Sequence, residues 1–461
     1  MASQWAFVDF FNDLFHKENY LMANKYPAKR NPYLTFSIPE SLDVLDILPS
    51  DLHHKADEAH YFISLLIFKT AHQSCITANG YTCLSATILN QIMDNRKRYK
   101  ILECLSENGI IECDGFYTPK RKSYGYRLNS RFADDRVKTI QATNRRIIRS
   151  LDAYFAKKLS EDVRCWLPVH HRLDKEQYKL DIDREQADEI VAKLTPKKRR
   201  RTKKNTEQIA RSSRLCQTAL VNNIDEKHHK LSVGKTGRVC NCITSLNREI
   251  RPALRYKGKP LESVDISNSQ PALLAKLVKD SLDQRQAAFL EDLALYIDLT
   301  SKGEFYKYIH QLIENTGKQI PLDEIKRKFL TDIFAKKKWV ETKSGFVVPR
   351  DYDSLVESVF RQEFPTIYRF ICETNKADAE TGITWDESHS VLIRKLQELE
   401  AKLVIEDAAV RAFSHPAKPF VLTLHDAIFC GQGESELMAE LLQQAAQNQG
   451  HQIKTKKDYY R

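Results

Sequence analysis

Phe420-Val421-Leu422-Thr423-Leu424-His425-Asp426-Ala427-Ile428-Phe429 sets two apolar runs on either side of one polar pair. Each run has the length and β-branched or aromatic content of a buried strand, so the stretch predicts a hairpin with His425-Asp426 at its tip. Upstream, Leu261-Glu262-Ser263-Val264-Asp265-Ile266 reads as another strand, and Ser267-Asn268-Ser269-Gln270-Pro271 leads into an apolar helix over Ala272 to Val278. Asp265 is therefore expected at a strand end and Asp426 at a turn. If both segments enter one sheet, strands about 4.8 Å apart bring the two carboxylates to a common edge. Such a pair can share two Mg²⁺ ions, with Mn²⁺ as a substitute, because ions in two-metal sites lie about 3.5 to 4 Å apart.

Outward from these strands, 461 residues with 42% hydrophobic and 29% charged content suffice for two or three globular domains. That composition excludes collagen-like, low-complexity and globally disordered architectures. The 72 Lys and Arg exceed the 61 Asp and Glu by 11, a basic balance that suits a polyanionic partner. No apolar run approaches the roughly 20 residues of a membrane span, and Met1 to Phe15 lack the charged-then-apolar order of a signal peptide. The chain is expected in the cytoplasm, away from membranes, in a bacterial, phage or plasmid setting. Its ten cysteines are scattered without a CxxC pair, and only Cys240 and Cys242 lie close together. A structural zinc site is not expected, and His170/His171 and His228/His229 read as surface or core histidines.

Residues 1–54, broken by Pro27, Pro32 and Pro39, suggest no role. Residues 55–135 predict three helices and a hairpin. The first helix is apolar at Phe62, Leu65, Leu66 and Phe68, the second begins after Ser85, and the third runs from Asn95 to Asn108-Gly109. Strands follow through Ile110 to Cys113 and Tyr124 to Leu128. That order resembles a winged helix-turn-helix. Its third helix carries Arg96, Lys97, Arg98 and Lys100, and its wing carries Lys120, Arg121 and Lys122, the two elements that meet DNA in such folds. Residues 144–230 read as a helical, thumb-like or linking region. Within it, seven of the eight residues over 197–204 are basic, including Lys198, Arg199 and Arg200. Self-repulsion makes this run an exposed arm suited to phosphates.

One more helix completes the pattern. In Ile325 to Ala335, Lys326, Leu330 and Phe334 are spaced i, i+4, i+8 and are expected along one face, with Ile325, Phe329 and Ile333 behind. Taken in order, four blocks make residues 231–461 resemble the palm and fingers of family A nucleic acid polymerases, the DNA polymerase I-like and single-subunit phage-type enzymes. The blocks are Lys235-Thr236-Gly237-Arg238 with the later Arg248 and Arg251, then Asp265 to Gln270, then the Lys326 helix, then Leu424-His425-Asp426. Phe360 to Tyr368 and the helix with Gln397 and Glu400 are similar to intervening family segments. The sequence departs from the DNA polymerase I pattern at Ala427, where Glu is usual, at Leu322, where Arg is usual, and at Phe334-Ala335, where Tyr-Gly is usual. Upstream acidic clusters of a proofreading exonuclease are absent from the sequence.

The resemblance implies an α+β protein with a right-hand polymerase palm and fingers after the winged helix. It implies Asp265 and Asp426 as catalytic metal ligands, Lys326 on the nucleotide triphosphate, Phe334 beside the nascent base pair, and Arg238, Arg251 and His425 on primer-template nucleic acid. Gln270, five residues after Asp265, stands where DNA-making members carry a bulky residue against the ribose 2′-hydroxyl. The expected activity is two-metal, template-dependent DNA polymerisation from nucleoside triphosphates without proofreading, such as a phage or mobile-element replication enzyme uses. Two alternatives stand beside it: RNA synthesis or priming on the same palm, and a non-catalytic DNA-binding replication initiator or regulator.

Overall fold

The computed structural model describes residues 34–70, 80–118, 123–132, 135–163, 166–194, 206–282, 290–337, 339–341, 347–349, 353–376, 382–383 and 385–460. The arm 197–204, with Lys198, Arg199 and Arg200, lies outside the described residues, as do Lys120, Arg121 and Lys122. Helices and small antiparallel sheets give a mixed α+β architecture divided into two compact units.

The first unit comprises Met1–Arg164, Arg184–Lys230 and Ser245–Ile250. Its strands are β1 (Thr35–Pro39), β2 (Thr82–Cys83), β3 (Ile111–Cys113), β4 (Gly125–Leu128) and β5 (Val137–Gln141). β1 pairs with β5 and packs against the helix Ala56–Lys69, whose Phe62, Ile63 and Leu66 are buried. The helices Ala86–Ile92 and Asn95–Glu107 precede a sheet ordered β2-β4-β3. Asp94 caps the second of these helices by accepting from the Arg96 amide at 3.0 Å, and the same carboxylate is held by Lys55 at 3.2 Å and by Arg146. One carboxylate thus satisfies a helix end and ties it to two other segments.

The structure corrects one residue of the expected DNA-facing helix. Arg98 is 3% exposed and donates to the Ala86 carbonyl at 3.2 Å and to Asn90. Its guanidinium locks one helix to the next and cannot also meet phosphate. Arg96 and Lys100 are exposed and Lys97 is half-buried, with Lys100 3.4 Å from Asp51.

The second unit comprises Cys165–Asp183, Leu231–Thr244 and Arg251–Arg461. The stretch 144–230, read from sequence as one helical region, is therefore divided between the units. The reason is a strand that helical periodicity hides: β6 (Leu180–Ile182) pairs antiparallel with β9 (Leu254–Tyr256), with Leu180 opposite Tyr256. The remaining strands are β7 (Ser232–Val233), β8 (Val239–Cys240), β10 (Lys259–Pro260), β11 (Glu262–Ser267), β12 (Trp339–Glu341), β13 (Val347–Pro349), β14 (Leu422–Leu424), β15 (Ala427–Cys430) and β16 (Lys454–Tyr459). Four of them form one antiparallel sheet in the order β14-β15-β11-β16. Val264 and Ile266 of β11 point into the core, and the helices Ser269–Ser281 and Ser435–Asn448 belong to the same core. Alternation therefore turns Ser263, Asp265 and Ser267 to the opposite face.

An aromatic cluster of Tyr296, Phe305, Phe329, Phe334, Phe360 and Phe364 fixes the helices of this unit. Full burial of each such ring contributes about 1.5 to 3 kcal/mol.

Candidate active site

β11 carries Asp265 at its fourth position, where it lies opposite Ala427 of β15 on one side and Lys456 of β16 on the other. The next residue continues the join, since the Ile266 amide donates to the Asp426 carbonyl at 3.3 Å. Asp426 occupies the two-residue turn between β14 and β15, as its sequence predicts. With Asp265 on β11 and Asp426 in the turn that enters the neighbouring β15, the two carboxyls come within hydrogen-bonding reach of each other. Burial raises the pKa of both; for Asp265 the second cause is the charge of Asp426, and together they push it up to about 7. Two anions this close resist ionising together, which disfavours the doubly charged state of the pair.

A third carboxylate stands behind the pair. Glu400, on the helix Val391–Ala401, is 1% exposed and bonds Arg238 at 2.7 and 2.8 Å. Burial first, and the charge of Asp426 second, push Glu400 up to about 7 against the pull of Arg238. The loop that supplies Arg238 is fastened to the same helix by Thr236 and Gln397 at 3.4 Å. Gly237 turns there with φ +77°, and a Cβ would sit 3.2 Å from that of Ala401, so both backbone sign and space call for glycine.

The surroundings are cationic and polar. His425 is exposed at the hairpin tip with φ +56°, a left-handed conformation that costs a non-glycine residue roughly 1 kcal/mol or more. Close-packed protein, then Arg238 and Arg251, hold its pKa below the usual imidazole value. The Arg251 guanidinium lies 5.6 Å above the Phe429 ring. Asn268 also has a left-handed backbone, φ +55°, where β11 passes into the helix Ser269–Ser281. The side-chain amide nitrogen of Asn268, the side-chain carbonyl of Gln270 and the Nε atoms of Arg238 and Arg251 are buried without a hydrogen-bond partner in the protein. Buried polar atoms are rarely left so, and groups of this kind can receive a polar ligand.

The expected face of the Lys326 helix is not formed. Beyond Leu322–Lys328 the chain widens into a π-helical segment, Phe329–Phe334, in which the Ala335 amide bonds the Leu330 carbonyl five residues back at 2.9 Å. The extra residue per turn carries Phe334 into the core, 0% exposed and 4.9 Å from the Phe329 ring, while Lys326 and Leu330 stay exposed. The base-stacking place expected for Phe334 is thus not open in this structure. Lys326 Nζ instead lies 5.7 Å over the ring of Tyr306, a phenol whose pKa is raised by burial and then by the charge of Asp426. Tyr306 and Glu400 are the site's unforeseen members. The sequence singles out the helix with Glu400 without a role for its carboxylate, and nothing marks Tyr306, because each sits inside an amphipathic helix and reaches the carboxylate pair only through tertiary packing.

Among the described residues, no group of three or more His, Cys, Asp and Glu side chains is arranged to hold a metal. Cys240 and Cys242 are in no disulfide, and burial pushes His170 down to about 4 and His229 to about 3. No described helix is long and apolar enough to cross a membrane.

No family model matches the chain. No curated protein matches it. Among solved structures, the POL domain of Pol1 from M. smegmatis, in complex with DNA primer-template and dNTP, is similar over 68% of this chain and 73% of its own, with a TM-score of 0.43 and 12% identity. That is a weak structural resemblance to a family A DNA polymerase domain.

Proposed function

We propose that this protein is a template-dependent nucleotidyltransferase, acting as a DNA-directed DNA polymerase of the family A type, with Asp265 and Asp426 as its catalytic carboxylates. The observation that carries the reading is their apposition, one acid on β11 and one in the turn before β15, brought together by the pairing of those strands and repelling one another. An all-oxygen donor pair with uncompensated negative charge fits a hard divalent cation, for which substrate phosphates and water complete the ligand set. Bound there, Mg²⁺ supplies a lowered pKa for the attacking 3′-hydroxyl and charge neutralisation at the leaving pyrophosphate.

The chain's own groups divide the remaining work. Arg238 and Arg251, with His425 at the exposed tip, present positive charge beside the carboxylates and hold the primer-template backbone. Lys326, exposed on its helix, receives the triphosphate. Gln270 borders the sugar of the incoming nucleotide and selects deoxyribose. Arg96, Lys97 and Lys100, on a winged-helix domain, contribute duplex phosphate contacts that weaken steeply with salt. The arm with Lys198, Arg199 and Arg200 adds to that attraction.

The test uses purified full-length protein, primed DNA and RNA templates, Mg²⁺, and either dNTPs or NTPs. Primer extension that disappears in both Asp265→Asn and Asp426→Asn supports the reading. DNA binding without extension on any template or nucleotide overturns it in favour of an initiator or regulator. Gln270→Ala should raise ribonucleotide incorporation; unchanged sugar preference removes that assignment alone.

A further inference from the structure

We propose that the aromatic hairpin of the first unit is a stacking surface for single-stranded nucleic acid. Beyond β3, the chain exposes Phe116 (72%) and Tyr117 (57%), and just before β4 it exposes Tyr124 (43%). Tyr117 and Tyr124 stack on each other with centroids 5.6 Å apart and planes inclined by 30°. These side chains remain open to solvent although large aromatic rings normally gain by burial.

The base of the hairpin is fixed. The Asp114 amide donates to the Gly125 carbonyl at 2.9 Å, and the Gly125 amide returns a bond to the Asp114 carboxylate at 2.9 Å. That carboxylate also accepts from the Phe116 amide at 3.1 Å. A Cβ at Gly125 would fall 2.5 Å from an Asp114 carboxylate oxygen, so glycine leaves the room that this carboxylate fills. The rings therefore stand close to a braced strand pair, which lowers the entropy lost when a ligand stacks on them.

Charge chooses the occupant. From Phe116 to Tyr126 the sequence holds Lys120, Arg121 and Lys122 and no acid. The hairpin's two nearby acids are engaged, Asp114 by backbone amides and Glu112 by Arg127 at 3.0 Å. Exposed rings in a cationic, acid-free stretch suit a polyanion with accessible π faces, which a single strand has and a duplex hides. The burial of Arg98 points the same way, since it removes one cation from the helix that would face a duplex groove.

The test measures binding of full-length protein to a fluorescein-labelled twelve-nucleotide oligo(dT) and to a twelve-base-pair duplex over a salt series. Tyr117→Ala/Tyr124→Ala should weaken single-strand binding about tenfold or more, leaving duplex affinity and the salt slope nearly unchanged, because stacking releases no counterions. Tyr117→Phe/Tyr124→Phe should bind like the parent, and a Tyr117→Trp reporter should be quenched by the oligonucleotide. Single-strand affinity unchanged by the alanine pair overturns the assignment and leaves the rings as a protein-docking surface. Equal losses on strand and duplex, or a changed salt slope, overturn it as well. The outcome is independent of the carboxylate pair, since Asp265→Asn leaves this hairpin intact.

Discussion

Asp265 and Asp426 approach because Asp265 stands opposite Ala427 in the β11–β15 ladder, while the amide after Asp265 bonds the carbonyl of Asp426. The backbone pairing forces two like charges together. Such an arrangement costs stability unless something positive is held there. Either single substitution to asparagine should lower primer extension by about 10³-fold or more, as loss of a metal ligand removes several kcal/mol of transition-state stabilisation. Extension rates under single-turnover conditions check this.

The same substitution should make the protein more stable. Asp265 has a folded-state pKa raised from 3.8 to about 7. Its favourable, protonated contribution is fully present below about pH 4 and is lost as pH rises through about 7. Melting temperatures of Asp265→Asn and the parent should therefore converge near pH 4, with the variant melting higher at pH 8. Equal melting temperatures at pH 8 would contradict the repulsion.

Mg²⁺ should raise the melting temperature of the parent at pH 8 and leave Asp265→Asn/Asp426→Asn nearly unmoved. Binding to the folded state alone at ten times Kd stabilises by about 1.4 kcal/mol. Differential scanning fluorimetry over a Mg²⁺ series reads this without any assay of activity.

Arg238 compensates a buried anion, so Arg238→Ala should destabilise the second unit by about 3 to 5 kcal/mol. The double variant Arg238→Ala/Glu400→Gln should recover much of that loss, since it removes the 1% exposed carboxylate that Arg238 pairs with. Urea denaturation of the four proteins gives the coupling.

Phe334 and Lys326 should separate cleanly. Phe334→Ala should cost about 3 to 5 kcal/mol through a core cavity. Lys326→Ala, at an exposed position, should leave stability within about 0.5 kcal/mol and raise the KM for nucleotide. A nucleotide KM unchanged in Lys326→Ala removes its assignment to the triphosphate.

Much of the strand pattern was legible in the residues. The hairpin around His425-Asp426 and the strand ending near Asp265 were readable because each is a short apolar run broken by a polar pair, a local signal. The helix boundaries at Asp94-Asn95 and Asn108-Gly109 were readable for the same reason. The faces of the helices were less so. Periodicity places Phe334 with Lys326, but one π-helical turn, invisible in composition, rotates it into the core. Equally, four basic residues in a row of five do not disclose that Arg98 alone is consumed by Ala86 and Asn90.

Local sequence thus determined which short runs form the strands of the site and that Asp426 stands at a turn, because alternation and turn chemistry act over a few residues, while β11 runs two residues past the strand end expected at Asp265. Only the tertiary structure decided that β11 lies between β15 and β16, that Glu400 and Tyr306 reach the acids, and that 165–183 joins the second unit. Those outcomes depend on pairing and packing between segments as many as about two hundred residues apart, whose free energies are set by the whole core and leave no mark on the intervening chain.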